Sequence, residues 1–318
     1  MATSSSSNQL SANQIKKMQD LKFVLIDLER WLDDLLSKGL SQLPSLNWSY
    51  WEQAAARLVD AKAPGLAKRV KEIGKLVDVH AYWPDQVLQQ TGELILLIRA
   101  YQRFEDLSPD YQEELSNQAG FPRRKKVLLE ESGQTDDWMV LGQSQSVEEL
   151  LYSRRTWLQG RQSGKFAVIL DHHFGSPDFE DQYIVGEQFR AELVFYPGLY
   201  PMRALVKARN PIGQAGFQLR SCTDWSNFLD LRSKALAKNP FLETCPALLQ
   251  AVIPIWKDRK LWLKDPKSDV IHPVLDPQST WRLMAISSGH PIVLFGEWNR
   301  EGFVPLSIVE PELGVLPI

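Results

Sequence analysis

The chain has 318 residues, enough for two ordinary cores, with 44% hydrophobic and 24% charged residues, which excludes a disordered polymer. With 36 basic against 39 acidic residues the net charge is −3, so no global field draws it to nucleic acid or anionic lipid. Two cysteines, Cys222 and Cys245, exclude a disulfide framework and a thiolate zinc site and fit a reducing compartment.

Residues Met1–Gln14 are rich in Ser, Asn and Gln without an apolar stretch, and the expectation is a disordered start over residues 1–20. Leu21, Leu25, Leu28, Leu32 and Leu35 then recur at three- and four-residue steps until Gly39, the pattern of an amphipathic helix with a stop. A second helix follows Ser49, with Trp51, Ala55 and Leu58 facing inward. A third opens at Pro64, where the missing N–H costs nothing. Pro84 opens the longest helix, with Leu88, Leu94, Ile98 and Tyr101 facing inward, and a shorter one runs from Ser108 to Gly120. Short turns predict antiparallel packing, hence a helical bundle over residues 21–130.

Residues 131–137 read as a connector, and beyond it the pattern changes. Fourteen of the 19 prolines lie after residue 140, in keeping with turns between short strands. Strands are expected at Trp138–Leu141, Arg155–Leu158, Phe166–Leu170, Ala191–Tyr196 and Ala204–Ala208. Val252–Trp256, Leu261–Leu263, Trp281–Ser287, Pro291–Phe295 and Phe303–Ile308 follow, with a hairpin turn at Lys257–Lys260. Asp224–Ala237 reads as a helix and Pro246–Ala251 as a second one. The fold class is therefore α+β: a helical bundle, then a β-rich domain over 138–318, barrel- or sandwich-like with one or two helices. The longest apolar runs hold five residues, far short of the ~20 of a membrane helix, and the expected location is cytoplasmic.

Among residues that carry chemistry, Asp171-His172-His173 stands first, because it follows an apolar strand and resembles the metal-ligating triplet of one phosphoesterase family. That family also has an upstream Asp-X-Asp pair and a Gly-rich His motif. Both are missing, and His272 and His290 do not replace them. Two metals need about four to six fixed ligands, so the triplet reads as a solvated loop, with a metal-dependent phosphoesterase as the enzyme alternative. His80 stands alone, and no His-Glu-X-X-His, Cys-X-X-Cys or Gly-X-Ser-X-Gly spacing occurs. Gly213 and Gly216 lack the Lys-Ser/Thr of a phosphate loop. Arg123-Arg124-Lys125-Lys126 reads as a solvated helix start, with nucleic-acid binding as its alternative.

What remains are surfaces. The eleven tryptophans serve either as core or as aromatic surface for a partner. Arg154-Arg155-Thr156-Trp157 and Gly296-Glu297-Trp298-Asn299 put charges beside aromatics, as in a structural clamp or an interaction hot spot. Arg155, Trp157, Tyr196, Glu297 and Trp298 form the candidate interaction surface. No catalytic, cofactor or metal residue is assigned, and no cofactor is expected.

Several blocks taken together carry a family resemblance: Trp31–Leu40, Tyr50–Gly74, Arg155–Leu170, Glu192–Lys207, Asn239–Ile255 and Thr280–Ile308. They resemble the region that follows the zinc finger in bacterial SWIM zinc-finger proteins, often encoded near a MoxR-type AAA+ ATPase and a von Willebrand factor A protein. The Cys-X-Cys…Cys-X-His element of the finger is absent, so its zinc and its contacts carry over to no residue here. The resemblance implies a non-enzymatic adaptor docking a protein partner, either a SWIM-finger chain or the ATPase system. It touches nucleic acid only indirectly.

Overall fold

The computed structural model describes all residues except 1–11, 214–218, 221–223, 268–270, 274–277, 301 and 311–313. Two compact units emerge. The first runs to Arg124 and takes in Pro197–Leu199, and the second comprises Lys125–Tyr196 and Tyr200–Ile318.

The first unit is helical: α1 (Ala12–Ser37), α2 (Trp48–Asp60), α3 (Pro64–Leu76), α4 (Trp83–Gln102) and α5 (Pro109–Ala119). Helix α1 buries Met18, Leu21, Leu25, Leu28, Leu32 and Leu35 in one stripe, the leucine spacing of the sequence made physical. Asn47 caps α2 by accepting from the Tyr50 N–H at 3.2 Å, and prolines open α3 and α5. Helix α5 ends at Gly120, whose φ of +93° an L side chain adopts only with strain, while the Phe121 N–H reaches back to the Ser116 carbonyl. Helix α1 begins at Ala12, which corrects the disordered start for residues 12–20. Residues 1–11 lie outside the described part.

The second unit opens with α6 (Lys125–Glu130), which packs on strands of this unit, so the helical part ends at Arg124 and not at residue 130. Two antiparallel sheets follow. One has the order β3-β2-β1-β4-β5, formed by β1 (Gln134–Glu148), β2 (Leu151–Gly160), β3 (Phe166–Phe174), β4 (Gln188–Phe195) and β5 (Ala204–Pro211). The other, β11-β10-β9-β6-β7-β8, comprises β6 (Cys245–Lys257), β7 (Lys260–Lys264), β8 (Ile271–Pro273), β9 (Ile292–Trp298), β10 (Phe303–Glu310) and β11 (Gly314–Pro317). Helices α7 (Trp225–Lys238) and α8 (Thr280–Ser287) both contact β6. The expected connector is shorter than residues 131–137, since β1 starts at Gln134.

The first sheet curls around Trp138, Val140, Leu158, Phe189 and Leu193, and an isolated bridge links Val168 to Arg203. It stays open, as does the second sheet, so the barrel option is corrected in favour of two packed sheets. Between them lie Met139, Leu141, Trp157, Leu248, Phe295 and Leu306. The layers approach closely at Gly142, where an added Cβ would stand 2.8 Å from that of Leu306. A third cluster, with Trp225, Phe228, Leu249, Leu263, Leu283 and Phe303, fills the space between the second sheet and its helices.

Two expected elements are of the opposite kind. Trp281–Ser287, read as a strand, lies in helix α8, whose buried Thr280, Leu283 and Ser287 follow a helical step. Pro246–Ala251, read as a helix, lies in β6. This strand is covered on both faces, Leu248 entering one core and Ala247 and Leu249 another, so its apolar run lacks alternation.

Candidate functional site

The helical unit holds a groove of about 350 Å³ between α1 and α2. Val24, Leu28 and Trp31 line it from α1, and Tyr50, Ala54 and Leu58 from α2, with Asp27, Gln53 and Arg57 as its polar members. The helical step brings these side chains together, since 24, 27, 28 and 31 on α1 and 50, 53, 54, 57 and 58 on α2 each form one face. Trp31 stacks on Tyr50 at 5.3 Å and meets Trp51 edge-on at 5.6 Å, which fixes the aromatic end. Burial, with Asp34 nearby, raises the Tyr50 hydroxyl pKa, so it stays a neutral hydrogen-bonding group at physiological pH. Asp27 pairs with Arg30 at 3.8 Å at the exposed surface. Phe23, one turn before Asp27, is 78% exposed. An apolar floor with a few polar groups is the chemistry of a site that takes an apolar side-chain row from another molecule. Sequence reading missed it because the same stripes also build the bundle core.

The expected interaction residues fall elsewhere, in the second unit. Glu297 is buried and its carboxylate accepts from Trp157 Nε1 at 2.9 Å and from Arg155 Nη2 at 3.1 Å. These three form a clamp between the two sheets. Trp298 packs against Trp225 at 5.7 Å and Phe228 at 5.6 Å. Tyr196 is buried with Leu128 and Val194 under the Arg203 guanidinium. Trp157, Tyr196 and Glu297 are therefore no surface, which corrects that expectation. Tryptophans serve both roles: Trp138, Trp157 and Trp225 are core, while Trp48, Trp256 and Trp281 are exposed.

Asp171, His172 and His173 lie inside β3, not in a loop. Alternation along the strand sends Asp171 and His173 to one face and His172 to the other. Asp171 accepts from Arg154 at 2.7 Å, His172 Nδ1 meets the Ser153 hydroxyl at 2.8 Å, and His173 Nδ1 lies 3.2 Å from the Ser176 hydroxyl. The triplet does not converge. Among the described residues no group of three or more His, Cys, Asp or Glu side chains is placed to hold a metal ion.

Arg123 is not part of a solvated basic run. Its guanidinium is buried and donates from Nε to the equally buried Glu113 carboxylate at 2.7 Å, leaving Arg124, Lys125 and Lys126 exposed. Cys245 is a buried free thiol whose pKa burial pushes up, the opposite of an activated nucleophile. Cys222 and Gly216 lie outside the described residues.

Among the described residues no helix is long and apolar enough to cross a membrane. No curated protein and no solved structure matches the chain. A family model does match, and its span runs from within α1 to the end of α5, including both walls of the groove. The blocks of the resemblance from Arg155 onward fall outside that span. Residues 16–119 are similar to the SWIM-associated four-helix bundle domain, a kinship that suggests an accessory or adaptor role.

Proposed function

We propose that this chain is a non-enzymatic adaptor that docks a protein partner in the groove between α1 and α2. The observation that carries the reading is the coincidence of that groove with the SWIM-associated helical domain over residues 16–119. The apolar members of the groove accept a short amphipathic helix or an apolar strand edge, and Arg57 and Gln53 orient it. The partner is a chain carrying a SWIM zinc finger, or a component of a MoxR-type AAA+ ATPase and von Willebrand factor A assembly.

The test is co-purification of the tagged chain at native expression level, alongside a Val24→Asp/Arg57→Glu variant. A stoichiometric partner is expected with the unaltered chain and is lost in the variant, whose circular dichroism should stay unchanged. Recovery of no partner, or equal recovery by both chains, overturns the proposal. Manganese-dependent phosphodiesterase activity that disappears in His172→Ala would overturn it in favour of the enzyme reading.

A further inference from the structure

Helix α4 carries its core on one side only. Val87, Thr91, Leu94, Leu97, Ile98 and Tyr101 are buried, whereas Asp85, Leu88, Leu96 and Arg99 are exposed. At about 100° per residue those four exposed side chains form one stripe, opposite the buried row and centred on Gly92. Leu88, expected to face inward from its period, is 52% exposed, and Leu96 is 62% exposed. The stripe is thus an apolar helix face that the described chain leaves bare.

The glycine at its centre has no use inside the monomer. Glycine weakens a helix interior relative to alanine, because it gives up more backbone freedom on folding. Gly74 of α3 has its reason within the bundle, since an added Cβ would stand 2.7 Å from the Trp51 ring. At Gly92 an added Cβ meets no atom within 4 Å. A missing Cβ in the middle of a bare helix face lets a second backbone come close from outside.

The charges say which backbone. Leucines stand four residues to either side of Gly92, and charges stand seven residues to either side, acidic Asp85 before it and basic Arg99 after it. Laid antiparallel on a copy of itself and crossing at Gly92, the stripe sets Leu88 against the second copy's Leu96. The same crossing sets Asp85 against the second copy's Arg99, and two-fold symmetry makes each contact twice. A parallel crossing would set like charges together. Arg99 lies 3.7 Å from Glu29 of α1 and still has a side chain 66% exposed, so it can reach across.

We infer that the chain self-associates through α4, two copies crossing antiparallel at Gly92. The same charges complement the helix dipole, but that role alone calls for neither the bare leucines nor the glycine. One helix pair buries less than the ~1,200 Å² of a standard interface, so the dimer is weak and reversible. The α1–α2 groove is lined by no residue of α4, and the inference does not rest on it.

The experiment is sedimentation velocity of the full chain from about 1 to 300 μM, with thermal unfolding measured beside it. A monomer–dimer equilibrium is expected across that range. Gly92→Leu should abolish the dimer while raising the thermal midpoint, the opposite of what a glycine needed inside the monomer would do. Asp85→Arg and Arg99→Asp should each weaken the dimer about tenfold, since each sets like charges at both ends of the crossing. An equimolar mixture of these two variants should recover it, because each chain then offers the charge the other lacks. A monomer at every concentration overturns the inference, as does a dimer that survives Gly92→Leu. Charge variants that associate like the unaltered chain, or that stay apart on mixing, overturn it as well.

Discussion

The helical unit and the β-rich unit hold their layers together by different means. In the first, the helices contribute apolar stripes to a shared core, with local polar contacts buried among them: Tyr101 donates its hydroxyl to the Leu115 carbonyl at 2.6 Å, the Ser116 hydroxyl donates to the Phe121 carbonyl at 2.8 Å, and Arg123 meets Glu113. In the second, the backbone hydrogen bonds among the described strands run within each sheet and not from one sheet to the other. Side chains supply that join: Glu297 takes the Trp157 indole and Arg155, and the Ser307 hydroxyl donates to the Leu141 carbonyl. A sheet has satisfied its own backbone before it meets another sheet, so registry between layers falls to specific polar bonds and to side-chain shape.

That contrast can be broken most severely at the buried Arg123–Glu113 ion pair of the helical unit. Arg123→Ala leaves the Glu113 carboxylate buried beside an empty space and should cost about 3–5 kcal/mol in urea unfolding. A loss below ~1 kcal/mol would mean that leucine stripes alone set the stability of this region. In the β-rich unit, Glu297→Ala removes the acceptor of a buried indole and should cost about 2–3 kcal/mol. Arg155→Ala leaves the buried Glu297 carboxylate with the Trp157 indole as donor and removes a guanidinium that is itself 40% exposed, and should cost about 1–2 kcal/mol. Equal costs would show that the ion pair, not the indole bond, joins the sheets.

Asp136 sharpens the same point within a single sheet. Burial raises its carboxyl pKa, but bonds from the Ser163, Gln162 and Asp137 N–H groups and the Ser163 hydroxyl outweigh that and hold it below its ordinary value. A depressed folded-state pKa means stabilisation that is complete above the unfolded pKa and lost as pH falls through the folded one. Asp136→Asn should cost about 1–2 kcal/mol at neutral pH. It should also flatten the loss of stability below about pH 4, read from thermal unfolding across a pH series. An unchanged pH profile would remove Asp136 as the group responsible.

The helices were legible because their signals are local. The leucines of α1, Pro64, Pro109 and Gly120 each act within a turn or two of themselves. Most strands were legible as short apolar runs, Trp138–Leu141 among them although both of its faces are covered. The reading failed at β6, where Pro246–Ala251 shows no alternation, and at α8, where a seven-residue stretch is too short to display its period against a strand reading. The groove stayed hidden for a related reason: Val24, Trp31 and Ala54 look like core residues, and only the spacing of α1 from α2 leaves room between them. The exposed pair Trp256 and Trp281 was hidden too, since the two residues are remote in the chain and one stood in a misread element.

The chain's own order of residues determined the division into a helical and a strand-rich part, the place of most elements and the likeness of the helical part to a SWIM-associated bundle. Tertiary structure alone decided that the sheets stay open, that Arg123 and Glu297 are buried while Trp281 is not, and that Asp171 and His172 face apart. The reason is distance along the chain. Periodicity records what a residue does within a turn or a pleat, whereas the Trp157–Glu297 bond joins positions 140 residues apart, and neither end carries a local sign of the other.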